Sequence, residues 1–193
     1  HSFSADTLDG GVFTQDDIAA KDVTVMNFWA LSCGPCIVEM PDLAAFAGAL
    51  PDNAQVVTVC LDGNGNEDTA REVLQEAGFE GVTLITGSED LLELSQNLMY
   101  TPTTIFVDSD GNLVGDAIIG GQENLSATFL DAVNVVLQAG GKAEISLEGK
   151  MGCALGHVDN GPNPACGRVV EPGALGGPGE GGENMLGMYR NRV

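Results

Sequence analysis

Residues 22–36 read Asp22-Val-Thr-Val-Met-Asn-Phe-Trp-Ala-Leu-Ser-Cys-Gly-Pro-Cys36, and this stretch decides the fold. Its first eight residues are rich in β-branched and apolar side chains on both alternations, as expected of a strand that is covered on both faces. From Gly34 to Leu50 apolar residues recur at helical spacing, with Pro41 inside the pattern. The stretch therefore predicts a central strand that leads through a pair of cysteines into a helix kinked near Pro41.

The cysteine pair stands where redox chemistry is favoured. A thiol at the start of a helix meets the positive end of the helix dipole and free backbone amides, which stabilise the thiolate, so we expect Cys33 to be the nucleophile. Cys36 lies one helical turn further along and can close a disulfide with Cys33, which makes it the expected resolving thiol. Gly34 and Pro35 between them permit a tight start to the helix.

The rest of the sequence alternates strand and helix patterns, bounded by turn residues such as Asp110-Gly111 and helix-ending glycines. A small hairpin at 7–13 and a short helix capped by Thr14 come first. We predict further strands at 54–61, 82–85, 103–108 and 113–119, and helices at 67–77, 88–97 and 122–139. This order predicts an α/β fold with a mixed central sheet flanked by helices on both faces.

Two segments resemble one known family. Residues 27–41 resemble the active-site segment of thioredoxin-like proteins of the exported TlpA/ResA-like branch, and residues 100–108 resemble its cis-proline segment. The resemblance spans about residues 3–137 and implies the thioredoxin fold and a thiol-disulfide oxidoreductase that needs no cofactor. It further implies a cis peptide between Thr101 and Pro102, which exposes the backbone edge of Thr101 to an extended substrate. By the same resemblance, Trp29 packs beside the site and shapes its contact surface, the alternative being that it serves core packing alone.

The sequence also departs from the family pattern. Cytoplasmic thioredoxins carry a buried aspartate where this chain has Asn27, and the exported branch commonly lacks it as well. Members that act in cytochrome maturation often have a glutamate just before the cis-proline segment, where this chain has residues 98–101, Leu-Met-Tyr-Thr. This difference argues against a role in cytochrome maturation. Glu39 lies one turn after Cys36, where we expect a solvent-facing carboxylate without a catalytic role, the alternative being a proton relay for the cysteines.

Composition sets the outer limits on function. The 193 residues, 44% of them hydrophobic, suffice for one well-buried domain plus some appended chain. The formal net charge of -21 repels phosphate backbones and anionic lipid headgroups, which argues against nucleic acid as a partner. We interpret the acidity as a solvated surface, the alternative being a field that steers a basic partner. No side-chain pattern predicts a metal site in the domain.

The lack of a long apolar run and the identity of the first residue bear on processing and export. No apolar run approaches the roughly 20 residues that cross a bilayer. Because the first residue is His1 rather than Met, we expect an export signal, or a membrane anchor, upstream of this sequence. We therefore predict an extracytoplasmic protein of the bacterial cell envelope.

The sequence changes character after residue 141. We predict a thioredoxin-like domain at 1–141 and an irregular Gly- and Pro-rich extension at 142–193. Within the extension, a structural disulfide between Cys153 and Cys166 would stabilise a loop by roughly 2–4 kcal/mol. The open alternatives are a second redox pair and a weak metal site that uses His157. Cys60, inside a predicted strand, is expected to pack as an inert thiol.

These observations predict a reductase of disulfides in exported proteins, fed by an upstream thiol donor that is membrane-bound. The direction follows from Gly34-Pro35, which resembles reducing thioredoxins more than oxidising periplasmic enzymes. The alternatives are a thiol peroxidase-like enzyme and a non-catalytic binding module with an inert disulfide. A zinc site would need Cys153, His157 and Cys166 to complete the ligand set of the cysteine pair.

Overall fold

The protein is described by a computed structural model that covers residues 2–147. Within these residues the secondary-structure elements are, in chain order, β1 (Ser4–Asp6), β2 (Val12–Thr14), α1 (Gln15–Ala19), β3 (Val23–Trp29), α2 (Gly34–Ala49), β4 (Ala54–Cys60), α3 (Glu67–Ala77), β5 (Val82–Ile85), α4 (Glu89–Gln96), β6 (Thr103–Asp108), β7 (Ile118–Ile119) and α5 (Leu125–Ala139). The predicted alternation of strands and helices is confirmed.

A five-stranded mixed sheet with the order β5-β4-β3-β6-β7 forms the centre of the fold. Strands β3, β4 and β5 are parallel, and β6 and β7 continue the sheet in antiparallel fashion. Strands β1 and β2 form a separate antiparallel hairpin. Because β3 is the middle strand, the chain that leaves its carboxyl end emerges between two neighbours, and the cysteine pair lies there.

Strand β3 is buried along its whole length, as its apolar sequence predicts. Val25 and Trp29 belong to the core on the side of α2 and α5, whereas Met26 and Phe28 belong to the core on the side of α4 and the hairpin. Burying one such side chain fully contributes about 1.5–3 kcal/mol. Helices therefore cover both faces of the sheet, which confirms the predicted thioredoxin-type layering.

Three phenylalanines fix α2 and α5 against the sheet. The ring of Phe129 on α5 lies 5.8 Å from that of Phe46 on α2 and 5.7 Å from that of Phe106 on β6, both in edge-to-face geometry. Such pairs add about 0.5–1.5 kcal/mol to the burial of the rings themselves. This packing fixes the C-terminal part of α2, which contains Phe46, against α5 and the sheet.

The predicted return strand at 113–119 is mostly wrong. Only Ile118–Ile119 pairs with β6 as a strand, while Leu113 makes an isolated bridge to Val107. Gly115 between them adopts a positive φ of 76°, a conformation that interrupts extended pairing. The apolar pattern alone did not indicate this break.

Helix α5 starts three residues later than predicted. Asn124 caps it by accepting a hydrogen bond from the Ala127 amide at 3.4 Å. The Gln122 amide, two residues before this cap, donates instead to the Glu39 carboxylate on α2 at 2.9 Å. At the other end of the domain the predicted cap is confirmed, because Thr14 and Asp17 form a capping box at the start of α1.

Residues 142–147, the first part of the predicted extension, pack back against α5. The Asn134 side chain accepts from the Ile145 amide at 2.8 Å and donates to the Ile145 carbonyl at 3.0 Å. Leu147 is buried in the same core as Val25 and Trp29. The chain thus stays in contact with the domain up to the last described residue.

Candidate active site

Cys33 and Cys36 are joined by a disulfide at the start of α2, with their Cα atoms 5.3 Å apart. Cys33 is the N-cap residue of the helix and is partly exposed, whereas Cys36 is only 2% exposed. The Cys36 backbone amide donates to the Cys33 sulfur at 3.2 Å. An attacking or attacked sulfur is therefore accessible at position 33 and shielded at position 36, as thiol-disulfide exchange requires.

The local sequence explains how the pair is presented. Cys33 has an extended backbone, and Pro35 occupies an early position of the helix, where its missing amide hydrogen costs nothing. A side chain at Gly34 would meet no atom within 4 Å, so this glycine leaves the surface next to the disulfide open. The free amides of the first helical turn face the Cys33 sulfur and favour its thiolate.

The segment before β6 lies beside this helix start. Thr101-Pro102 is a cis peptide, as the resemblance implies, and Thr103 pairs with Phe28 near the carboxyl end of β3. The Pro102 carbonyl accepts from the Gly120 amide at 2.8 Å. The register of β3 and β6 thus brings two segments, some 70 residues apart in the sequence, to the same end of the sheet.

Trp29 supports the site from below. Its side chain is fully buried, in the same core as Cys36. The expectation that it shapes the contact surface is therefore wrong, because the strand alternation turns position 29 into the core. Its indole N–H has no hydrogen-bond acceptor among the described residues.

Glu39 corrects a second expectation. It is not solvent-facing but only 7% exposed, and its Oε2 accepts from the Gln122 amide at 2.9 Å. Burial raises the pKa of the Glu39 carboxyl, assisted by the nearby charge of Asp42, while the hydrogen bonds from Gln122 and Asn27 act in the opposite direction. The spacing of three residues places Glu39 on the same side of α2 as Cys36, but the local sequence does not show that Gln122 covers it.

Asp62 is a residue that the sequence did not single out. Its carboxylate accepts hydrogen bonds from the amides of Leu31 and Ser32, which immediately precede Cys33. Burial alone would raise the pKa of Asp62. The hydrogen bonds from Leu31 and Ser32 together lower it by more, so the net result is a lowered pKa. At neutral pH an ionised carboxylate therefore contacts the two residues that precede Cys33.

Cys60 is the third cysteine among the described residues and is fully buried at the end of β4. Burial, with the charge of Asp62, raises the pKa of its thiol to about 12. This agrees with an inert packed thiol. No group of three His, Cys, Asp or Glu side chains within residues 2–147 is arranged to hold a metal ion. The other ligands of the zinc alternative, Cys153, His157 and Cys166, lie outside the described residues, as does the predicted disulfide of the extension.

Between residues 2 and 147, none of the helices has both the length and the apolar character needed to span a bilayer.

Comparison with known proteins gives consistent matches. The model of the AhpC/TSA family matches residues 1–115. The thioredoxin-like protein YneN of Bacillus subtilis is 30% identical over 119 residues, which are 61% of this chain and 68% of YneN. The thiol-disulfide oxidoreductase ResA of Halalkalibacterium halodurans is 23% identical over 132 residues, 68% of this chain and 73% of ResA.

A solved structure extends the comparison to the fold. The exposed lipoprotein thioredoxin Etrx1 of Streptococcus pneumoniae superimposes with a TM-score of 0.53 at 25% identity, covering 67% of this chain and 96% of Etrx1. The superposition thus covers nearly all of Etrx1, and the family model lies entirely within residues 1–115, before the extension begins.

Proposed function

The chain belongs to the AhpC/TSA family and is a thiol-disulfide oxidoreductase, and we propose that it works as a reductase of disulfides in exported proteins. One observation carries the proposal: the Cys33–Cys36 disulfide begins a helix at the carboxyl end of the central strand, with Cys33 accessible and Cys36 shielded. The asymmetry between the two sulfurs assigns different roles to them.

The reaction runs from the dithiol form. The Cys33 thiolate attacks one sulfur of the partner's disulfide, and the other partner sulfur leaves as a thiolate. Cys36 then attacks the Cys33 sulfur, which breaks the mixed disulfide and releases the second partner thiolate. Two electrons have passed to the partner, and the chain is left with its disulfide, which an upstream thiol donor must reduce again.

Glu39 and the cis-proline segment assist this sequence. Glu39 lies one turn after Cys36 on the buried side of α2, and a carboxyl group with a raised pKa can take up the proton that the Cys36 thiol must lose. Thr101 and Pro102 offer a backbone edge on which an extended partner segment can bind beside the disulfide. Gly34 and Pro35 keep the approach to Cys33 open.

The location and partners follow from the same proposal. An exported, membrane-linked setting is supported by the likeness to a thioredoxin described as an exposed lipoprotein. The substrates are then folded or misfolded proteins outside the cytoplasm that carry disulfides. The electron donor is a thiol protein at the membrane.

The domain division is also a proposal. We assign residues 1–141 to the thioredoxin-like domain and 142–193 to an extension that a structural Cys153–Cys166 disulfide closes. Peptide mapping without reduction supports the assignment if it finds that disulfide both before and after the Cys33–Cys36 pair has been reduced selectively. A Cys153–Cys166 disulfide whose state follows that of Cys33 and Cys36 would instead indicate a second redox pair.

The direction of the reaction is tested by the reduction potential of the Cys33–Cys36 couple. The protein is equilibrated in a dithiothreitol or glutathione redox series, and the state of each cysteine is determined by alkylation and peptide mass spectrometry. A potential near about -270 mV supports a reductase, and one near about -120 mV makes the protein an oxidant. A pair that resists reduction would mean a merely structural disulfide, and peroxide consumption without any disulfide substrate would favour the peroxidase-like alternative.

A further inference from the structure

The loop that follows β4 holds the loop that follows β3. Asp62 Oδ1 accepts from the Leu31 amide at 2.7 Å, and Asp62 Oδ2 accepts from both the amide and the hydroxyl group of Ser32 at 3.2 Å. Both oxygens of one carboxylate are thus occupied by the two residues that lead directly into Cys33. Hydrogen bonds to an ionised carboxylate are stronger than those between two neutral groups.

This arrangement depends on the parallel pairing of β3 and β4. Trp29 and Cys60 are partners in the sheet, and the Leu61 amide donates to the Trp29 carbonyl at 2.9 Å. The two strands therefore end side by side, and the loops that leave them start from the same edge of the sheet. Asp62 follows Leu61 in this loop, and its side chain bonds to the two residues that come after Ala30.

Asp62 is itself held in place, so it can act as an anchor. The Asn66 side chain donates to the Asp62 carbonyl at 2.9 Å, and the Thr86 hydroxyl donates to the Leu61 carbonyl at 3.1 Å. The Cys60 thiol lies 3.7 Å from Asp62 Oδ1. The first two bonds hold the backbone of residues 61 and 62, and the Cys60 thiol contacts the carboxylate itself.

The held loop determines the position of the reactive sulfur. The Cys33 amide donates to the Ala30 carbonyl at 3.1 Å, which closes a turn over Leu31 and Ser32, and Cys33 then caps α2. Thiol-disulfide exchange needs the attacking sulfur in line with the bond that it breaks, and small misplacements of a reacting group cost large factors in rate. A shift of the turn would move Cys33 relative to the helix amides that stabilise its thiolate.

We propose that Asp62 is a positioning residue for thiol-disulfide exchange, which holds Leu31 and Ser32 so that Cys33 is presented at the start of α2. This inference rests on the proposed function. It assigns to Asp62 no contact with the substrate. The lowered pKa of Asp62 agrees with this role, because the carboxylate is ionised at neutral pH and can accept the amides of Leu31 and Ser32.

The test compares Asp62→Ala with a matched control, Asp108→Ala. The Asp108 carboxylate also accepts two backbone amides of a neighbouring turn, those of Asp110 and Asn112 at 2.9 Å, but at the opposite end of the sheet. For each reduced variant, the rate of reaction with a small peptide disulfide is measured against pH. The pH profile yields the Cys33 pKa and the limiting rate of the fully ionised thiolate.

We expect Asp62→Ala to lower the limiting rate by about tenfold or more and to shift the Cys33 pKa, with Asp62→Asn in between, because it keeps one acceptor oxygen. Asp108→Ala should leave both quantities within twofold of the wild type. Equal limiting rates and equal pKa values in the Asp62 and Asp108 variants would overturn the inference, even if both variants unfold at lower temperature. A wild-type protein that does not react with the peptide disulfide would instead overturn the proposed function.

A measurement on the wild type guards against a variant that does not fold. The amides of Leu31 and Ser32 should exchange with solvent deuterium much more slowly than those of exposed loops, in the oxidised and the reduced protein alike. Free exchange of both amides in the reduced protein would mean that Asp62 does not hold the loop when Cys33 reacts, and would overturn the inference without any substitution.

Discussion

At the two ends of β3, an aspartate carboxylate holds a neighbouring turn by the same kind of hydrogen bonds. Asp62 holds Leu31 and Ser32 at the carboxyl end, and Asp108 holds the turn that contains Asn112 at the amino end. The hydrogen bonding between carboxylate and turn is of the same kind at both ends of β3, yet only the carboxyl end carries the reactive cysteines. The difference lies in what the chain does next, because the first turn continues into Cys33 and a helix, whereas the second only reverses the chain.

The two ends also differ in charge. Among residues 2–147, the only basic side chains are those of Lys21, Arg71 and Lys142. Lys21 donates to the Asp52 carbonyl, and Lys142 lies 3.3 Å from the Asp22 carboxylate, both at the amino end of β3. None of these three side chains neighbours the cysteine pair in the sequence, and the Cys33 sulfur accepts a hydrogen bond from the Cys36 amide at the positive end of the helix.

The comparison is tested most strongly by Cys33→Ser. We expect the rate of reaction with a peptide disulfide to fall at least about a thousandfold, to the level of buffer alone, because the hydroxyl group cannot replace the thiolate. Lys142→Ala at the other end is the matched control and should retain the wild-type rate. A reaction with the peptide disulfide that survives Cys33→Ser would assign the exchange to another thiol of the chain and contradict the role of Cys33.

A second prediction separates two thiols at the same end of the sheet. With a pKa of about 12, only about one Cys60 thiol in ten thousand is ionised at pH 8, and the side chain is fully buried. Iodoacetamide should therefore label Cys33 in the reduced native protein at least about a hundredfold faster than Cys60. Peptide mass spectrometry over a time course measures both rates, and equal labelling would contradict the assigned burial.

Glu39 gives a third, smaller effect that depends on pH. Because burial raises its pKa, ionisation of Glu39 costs stability, and this cost is absent below its ordinary pKa of 4.5. Glu39→Gln keeps an acceptor for the Gln122 amide and removes the charge, so the melting temperature at pH 7 should rise by about 2–4 °C, equivalent to roughly 1 kcal/mol.

The pH dependence provides the control for Glu39. Thermal unfolding followed by circular dichroism should show the difference between wild type and Glu39→Gln shrinking as the pH falls through the raised pKa, and vanishing below 4.5. A difference that is constant with pH would mean that the substitution acts through packing and not through the charge.

The smallest effect is expected at the amino end of β3. The pKa of Asp22 is lowered by the hydrogen bond from Asn53, against the effect of burial and with help from Lys142, so its contribution to stability is present at neutral pH and lost as the pH falls through the lowered pKa. Asp22→Asn should cost only about 0.2–1 kcal/mol. Urea unfolding measures this loss of stability. The rate at which Cys33 reacts with a peptide disulfide should not change, and a changed rate would contradict the conclusion that the two ends of β3 act independently.

Much of this architecture could be predicted from the sequence because its signals are local. The strands 82–85 and 103–108 match the predicted bounds, since each is a short buried run between turn residues. The cysteine pair and its helix follow from one continuous stretch. The burial of Glu39 could not be predicted in this way, because the group that covers it, Gln122, lies 83 residues further along the chain.

Asp62 illustrates the same limit from the other direction. It is one of 28 acidic residues, and no periodicity distinguishes it from those on the surface. Its role depends on the parallel pairing of β3 and β4, which brings its partner amides within reach. Only the register of the sheet, and not the composition of the loop, separates Asp62 from the other acidic side chains.

The short loop at 120–122 links the cis-proline segment to the active-site helix, so that the contacts around the active site form a closed circuit. Gly120 is bonded to the cis-proline segment and Gln122 to the active-site helix. The links of this circuit are, in order, Cys33, Cys36, Glu39, Gln122, Gly120, Pro102, Thr103, Phe28 and back along the chain to Cys33. Because these contacts form a closed circuit, the loss of any single hydrogen bond leaves all of these residues linked through the remaining contacts.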